Sequence, residues 1–162
     1  MKNYLYFWED FEINKKVNLG TYEFTEDEII KFGKKFDTQF FHVDPKLAKA
    51  SEYKGLIASG WHTCSAIMKL MCDKFLNSTN TLGSPGISNL SWFHPVRPGD
   101  KVTGYWEVME KRESRSKPSI GIMKLNIFGI NQNRETVINM EPTIFIYRRP
   151  NLDHFETSSK MR

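Results

Sequence analysis

With 162 residues, the chain is long enough for one domain with its own hydrophobic core. Hydrophobic residues make up 40% and charged residues 26% of it, as in an ordinary globular protein, and no apolar run approaches membrane-spanning length. The formal net charge is +4, but no five like charges are consecutive. This pattern argues against a nucleic-acid-binding protein and is compatible with an anionic small-molecule ligand.

The first elements predicted from the sequence lead to a polar loop. Residues 21–24 indicate a short strand, and Thr25 followed three residues later by Glu28 forms the capping-box pattern that starts a helix. The apolar residues of that helix fall on one side: Ile29, Ile30, Phe32 and Phe36. The helix ends at Asp37, and we predict a loop from Asp37 to His42.

A short helix and then a long one follow this loop. Asp44 is typical of a helix N-cap and Pro45 of a first turn, which predicts a short helix over residues 46–51. Ser59 and Gly60 open the next helix, predicted over residues 61–75. Apolar side chains cover most of its circumference, so we expect it to be buried on several sides.

The second half of the chain has the alternation of antiparallel strands. Residues 78–86 are predicted as a loop, and four strands are predicted after it, over residues 90–96, 102–108, 120–127 and 136–146. A long buried helix followed by four such strands predicts an α+β domain with the sheet around the helix. We place this single domain at residues 1–150 and a polar tail at residues 151–162.

The two cysteines, Cys64 and Cys72, fall on the long predicted helix. At a rise of about 1.5 Å per residue they lie about 12 Å apart, too far for a disulfide. Unpaired cysteines and the lack of a signal-like start predict a reducing, cytoplasmic location. The four histidines and two cysteines show no metal-ligand spacing, so we predict neither a metal nor a cofactor.

Asp37, His42 and Gly60 are the residues that suggest chemistry. A carboxylate and an imidazole can share proton transfer near neutral pH, and a helix N-terminus offers free N–H groups to a polarised oxygen. Each residue also has a plain structural interpretation, since Asp is common in turns and histidines are often structural.

The spacing of these residues resembles that of the MaoC-like hydratases and dehydratases, which include the R-specific enoyl-CoA hydratases. The family signature has Asp, one residue, Asn, two residues and His, with a glycine eighteen residues later. Asp37, His42 and Gly60 take the matching places, whereas Gln39 stands where Asn is usual and Phe36 where a glycine commonly precedes the Asp. A second match is the turn at residues 95–100, Pro-Val-Arg-Pro-Gly-Asp.

The resemblance implies a hot-dog fold, in which a sheet curls around a central helix, and usually a homodimer. It implies a lyase that hydrates enoyl thioesters of coenzyme A or acyl carrier protein, or dehydrates 3-hydroxyacyl thioesters. Asp37 and His42 would activate water and relay the proton, and the Gly60 N–H would meet the thioester oxygen. Five further residues are expected to bind substrate: Gln39, Phe41, Ser59, Trp61 and His62.

Two other functions remain open from the sequence. A thioesterase on the same fold would need an acid early on the central helix, but Asp73 lies about three turns beyond Gly60. A non-catalytic acyl-thioester-binding module is the second alternative. His62 is more consistent with packing than with ligand contact, and Arg148 or Arg149 are candidates for the phosphates of coenzyme A.

Overall fold

The structure, a computed structural model, describes residues 4–150, so the predicted tail at 151–162 lies outside the described residues. Five antiparallel strands form one sheet in the order β1-β3-β4-β5-β2. The strands are β1 (Val17–Glu23), β2 (Thr81–Trp92), β3 (Lys101–Glu113), β4 (Ile120–Ile130) and β5 (Thr136–Tyr147). The helices are α1 (Glu26–Phe36), α2 (Phe40–Val43), α3 (Pro45–Lys49) and α4 (Gly60–Lys74). Within residues 4–150, no helix is long and apolar enough to cross a membrane.

The hydrophobic core lies between α4 and the sheet. Ile67 and Leu70 of α4 are buried and lie over Gly104 of β3. Alternate residues of β4 are buried with them: Met123, Leu125 and Ile127. Each fully buried side chain of this size contributes roughly 1.5–3 kcal/mol of hydrophobic free energy. The predicted α+β architecture, with the sheet packed on one long helix, is confirmed.

The starts of α1, α3 and α4 are capped by the side chains expected from the sequence. Thr25 accepts the Glu28 N–H at 3.3 Å, and Glu28 Oε2 accepts the Thr25 N–H at 3.4 Å, which completes the capping box of α1. Asp44 Oδ1 accepts two backbone N–H groups of α3, at 2.9 and 3.0 Å. Ser59 Oγ accepts the Trp61 N–H at 3.2 Å and caps α4.

The predicted loop over residues 78–86 is wrong, because β2 begins at Thr81 and pairs with β5. The Gly and Pro residues that suggested a loop instead interrupt the pairing, and the register shifts between Gly83 and Gly86. Such irregularities are tolerated since β2, among the described strands, lies at the edge of the sheet and pairs with β5 alone. The loop predicted from Asp37 to His42 is also partly helical, because α2 begins at Phe40.

Candidate active site

The close packing of α2 on α1 brings His42 to the end of α1, where Asp37 is the C-cap. Gly33 permits this contact. A Cβ at Gly33 would lie 2.8 Å from the His42 carbonyl oxygen and 2.9 Å from Val43 Cγ1, so any larger residue would push the two helices apart. The five-residue spacing of the acid and the histidine therefore becomes a direct contact.

Asp37 and His42 are within hydrogen-bonding reach of each other. His42 Nε2 lies 3.3 Å from Asp37 Oδ2, and the His42 side chain is almost fully buried. The other ring nitrogen, Nδ1, lies 2.8 Å from the Ile57 carbonyl oxygen. Because a carbonyl only accepts, Nδ1 carries a proton in this arrangement and Nε2 is the nitrogen available for proton transfer.

Two side chains hold the Asp37 carboxylate. Gln39 Nε2 donates to Oδ1 at 2.9 Å, and Ser59 Oγ donates to Oδ2 at 2.7 Å. Burial by itself raises the pKa of Asp37, but the hydrogen bonds from Gln39 and Ser59 and the charge of His42 outweigh it and lower the pKa below its usual value. The carboxylate is therefore ionised at neutral pH and able to accept a proton.

Gly60 is the first residue of α4 and lines the same cleft as Asp37 and His42. Within residues 4–150 its N–H has no hydrogen-bond acceptor, since the Ser59 hydroxyl that caps the helix accepts from Trp61. This N–H lies at the positive end of the helix dipole. It is therefore available to a ligand oxygen that gains negative charge.

Trp92 packs directly on Gly60, a contact that sequence analysis missed. The indole Nε1–H donates to the Gly60 carbonyl at 3.0 Å, and a Cβ at position 60 would lie 2.6 Å from Trp92 Cε2. The glycine is therefore required by the tryptophan ring beside it. Alternation along the predicted strand had assigned Trp92 to one face with Leu90, whereas it lies half-exposed at the cleft.

The cleft has a volume of about 490 Å³ and an aromatic wall that includes Tyr53, Trp92 and Phe93. Seven of the eight predicted site residues line it: Asp37, Gln39, Phe41, His42, Ser59, Gly60 and Trp61. Their predicted roles in catalysis and substrate binding stay predictions. The structure adds Trp92, Phe93 and Tyr53 to the candidate set.

His62 is not among the residues that line the cleft. It is 6% exposed and lies between two rings, stacked on Phe32 at 4.7 Å and edge-on to Phe24 at 5.0 Å. Its Nδ1 has no hydrogen-bond partner among residues 4–150. The structure thus places His62 in packing between α1 and α4, the role that sequence analysis favoured, and its predicted part in substrate binding stays a prediction.

We expect His62 to make stability depend on pH below about 6.5. Burial lowers the pKa of His62 from its usual value of 6.5, although the charge of Glu28 partly opposes the shift. As the pH falls below that value the unfolded chain takes up a proton that the folded chain does not, so the free energy of unfolding decreases. The slope for one proton is at most about 1.4 kcal/mol per pH unit.

Urea denaturation of the wild type and of His62→Asn between pH 7.5 and 5.5 measures this slope. The pH dependence should be flatter in His62→Asn than in the wild type. Leu47→Asn, which changes an exposed residue without an ionisable group, should keep the wild-type slope. Equal slopes for the wild type and His62→Asn would contradict the assignment.

The residues considered for a thioesterase or for binding the coenzyme A phosphates form ion pairs with other side chains of this chain. Asp73 pairs with Lys69 on the exposed surface of α4 and is not a cleft residue. Arg148 pairs with Glu9 and Glu113, and Arg149 with Asp10. Both arginines are therefore neutralised by carboxylates of this chain, which argues against their use for the phosphates of coenzyme A.

Comparison with known proteins identifies the family. Residues 10–126 match the family described as MaoC like domain. The uncharacterized protein YdeM of Bacillus subtilis (strain 168) is 26% identical over 140 residues, which cover 86% of this chain and 98% of that protein. The crystal structure of a MaoC-like dehydratase from Rhodospirillum rubrum is similar with a TM-score of 0.82 at 31% identity, over 90% of this chain and 99% of that one.

An (R)-hydratase from A. caviae involved in PHA biosynthesis has a TM-score of 0.68 at 24% identity, over 88% of this chain and 99% of that one. At this identity the likeness concerns the fold alone. The antiparallel sheet packed on one long central helix is the hot-dog fold that the sequence resemblance implied. With the family match covering more than half of its length, the chain belongs to the MaoC-like domain family.

Proposed function

We propose that this protein is a cytoplasmic lyase that reversibly hydrates trans-2-enoyl thioesters to 3-hydroxyacyl thioesters. The observation that carries the proposal is the pair of Asp37 and His42, 3.3 Å apart in the cleft that also holds the unused Gly60 N–H. The family match, and the likeness to a protein described as a MaoC-like dehydratase, support the same reaction class.

The geometry suits addition of water across the conjugated double bond. A water molecule bound beside this contact, within reach of both Asp37 Oδ2 and His42 Nε2, gives a proton to the two side chains as its oxygen bonds to the β-carbon. The electron pair of the double bond moves to the thioester oxygen, where the Gly60 N–H stabilises the negative charge. Asp37 and His42 then return a proton to the α-carbon, and the thioester carbonyl re-forms. The product is a 3-hydroxyacyl thioester, and the two side chains regain their original protonation state.

Ser59 and Gln39 serve as positioning residues in this scheme. Each donates to one oxygen of the Asp37 carboxylate, so the carboxylate cannot rotate away from His42. Ser59 also caps α4, and it therefore fixes Asp37 relative to Gly60, the first residue of that helix. The longer side chain of Gln39 reaches Asp37 from the place where Asn is usual in the family.

The two alternatives receive less support. A thioesterase needs an acid near the start of α4, and the Asp73 carboxylate lies on the exposed surface with Lys69. A non-catalytic binding module would be favoured by an acid and a histidine held apart, whereas Asp37 and His42 are in contact.

Hydration of crotonyl-CoA tests the proposal directly, because loss of the conjugated double bond lowers the absorbance of the thioester. We expect turnover by the wild type, with longer and branched enoyl thioesters defining the acyl preference. A thiol reagent in parallel reactions detects hydrolysis. Release of free coenzyme A without hydration would identify a thioesterase, and inactivity of the folded protein across the panel would contradict the lyase assignment.

We further propose a homodimer that forms through β2 and the exposed side of α4. Among the described strands, β2 has one neighbour, β5, so its other edge is free to pair. Large apolar side chains are exposed on α4 and β2: Trp61, Met68, Leu82 and Ile87. Exposed apolar groups beside an unpaired edge are typical of a symmetric interface between two copies.

Light scattering should therefore give the mass of a dimer at micromolar concentration. Ile87, 48% exposed on β2, should be critical, because a lysine there would place two like charges across the interface, and Ile87→Lys should shift the protein toward the monomer. Leu47→Lys is the matched control, since Leu47 is 55% exposed on α3 and belongs to neither β2 nor α4. A monomeric wild type would contradict the dimer.

A further inference from the structure

A second depression lies on the face of the sheet opposite α4. It has a volume of about 600 Å³, and its floor is formed by Glu107 of β3, Asn126 of β4 and Asn139 of β5. These residues alternate with buried core residues on the same strands, so they belong to the outer face. We call this depression the outer groove.

A directed chain of hydrogen bonds crosses the floor of the outer groove. Asn139 Nδ2 donates to Asn126 Oδ1 at 2.7 Å, and Asn126 Nδ2 donates to Glu107 Oε1 at 3.0 Å. Because a carboxylate only accepts, the orientation of both amides is set. Glu107 Oε2 and Asn139 Oδ1 remain without partners among residues 4–150, so the floor offers acceptors and favours a ligand with N–H donors.

Aromatic rings form the walls of the outer groove. Phe93 is 57% exposed and makes no ring contact within the described residues, so one face of its ring is open for stacking. Phe128 is already used, since it stacks on Tyr105 at 5.5 Å and has Lys16 Nζ 4.8 Å from its ring centre. A planar ring that carries an amino group fits an open aromatic face above acceptor oxygens.

The outer groove and the cleft that holds Asp37 and His42 share a wall. Phe93 and His94 line both, so a ligand whose reactive end lies beside Asp37 can cross this wall to the outer face. The acceptor-rich floor, with a carboxylate, disfavours a phosphate and favours a neutral base. The exposed Lys16 beyond Phe128 supplies a positive charge near the far end of the groove.

We propose that the outer groove binds the adenine ring of coenzyme A, which makes the coenzyme A thioester, and not the acyl carrier protein thioester, the substrate. The adenine ring stacks on Phe93, and its amino group donates to Asn139 Oδ1 or Glu107 Oε2. This inference rests on the proposed hydration reaction for the identity of the reactive end, and it adds a subsite outside the cleft.

The test compares crotonyl-CoA with crotonyl-pantetheine, which has the same reactive end but no nucleotide. Asn139→Leu removes an acceptor from the outer groove. The ratio of kcat/KM for crotonyl-CoA to that for crotonyl-pantetheine should fall about tenfold, the effect of one or two lost hydrogen bonds. Thr143→Leu, on the same strand and the same face but outside the groove, should keep the wild-type ratio.

Calorimetric titration with coenzyme A itself separates this proposal from the proposed reaction. We expect Asn139→Leu to weaken the binding of coenzyme A about tenfold relative to the wild type and to Thr143→Leu. Weaker coenzyme A binding by Asn139→Leu, in a protein that hydrates no thioester, would support the outer groove as the adenine site and overturn the lyase assignment. Hydration with an unchanged ratio and unchanged coenzyme A binding in Asn139→Leu would overturn the groove, as would hydration confined to acyl carrier protein thioesters.

Discussion

Replacing either Asp37 or His42 should lower kcat for hydration by about 10²–10⁴, the usual effect of removing a general acid or base. The two side chains face each other through Asp37 Oδ2 and His42 Nε2, 3.3 Å apart, and would bind one water molecule that contacts both atoms. Residues that act as one unit show losses that do not add. The double variant should therefore be little slower than the slower single variant.

Asp37→Asn and His42→Ala are the variants for this experiment, with hydration of one active enoyl thioester as the measurement. His42→Ala leaves the Ile57 carbonyl without its partner, a cost of about 1–3 kcal/mol, so each variant must be shown to remain folded. Asp73→Asn is the control, because it removes an exposed acid on α4 that lies outside the cleft.

Near-normal kcat in either single variant would remove that residue from the mechanism. Fully additive losses would mean that Asp37 and His42 have independent roles. A slow Asp73→Asn variant would show that loss of an exposed acid outside the cleft is enough to slow hydration, and the losses in the single variants could then not be assigned to Asp37 and His42.

The parts of the site that could be predicted from the sequence depend on residues close together in the chain. The capping box of Thr25 and Glu28 fixes where α1 starts, and Asp37 is the C-cap at the other end of the same helix. Ser59 and Gly60 mark the start of α4 within one residue of the structure. Spacing is informative here because helix caps act over three or four residues.

The remaining features depend on contacts between distant residues. Trp92 and Gly60 are 32 residues apart, and their contact depends on how the end of β2 meets α4. The acceptor for His42 Nδ1 is the backbone carbonyl of Ile57, and any residue type would provide that carbonyl. The glycines of β2 have the composition of a loop, and only pairing with β5 makes this segment a strand.

Removing the Gly60 N–H should lower kcat by about 10²–10³, the typical effect of losing one oxyanion donor. A simple substitution at position 60 does not isolate this effect, because a Cβ there would lie 2.6 Å from Trp92 Cε2 and displace the indole. The indole must therefore be removed before a side chain is added at position 60. Trp92→Leu removes it, so we take this variant as the background for both test variants.

In this background we compare Gly60→Ala, which keeps the N–H, with Gly60→Pro, which lacks it. Proline is well tolerated at the first position of a helix, and the extended backbone of Ser59, with ψ of 142°, suits a residue before proline. The proline variant should be about 10²–10³ slower than the alanine variant, with KM for the thioester changed far less than kcat, because the charge on the oxygen develops in the transition state. Equal kcat values in the two variants would mean that the Gly60 N–H does not stabilise the oxyanion, and that the glycine is present only to accommodate Trp92.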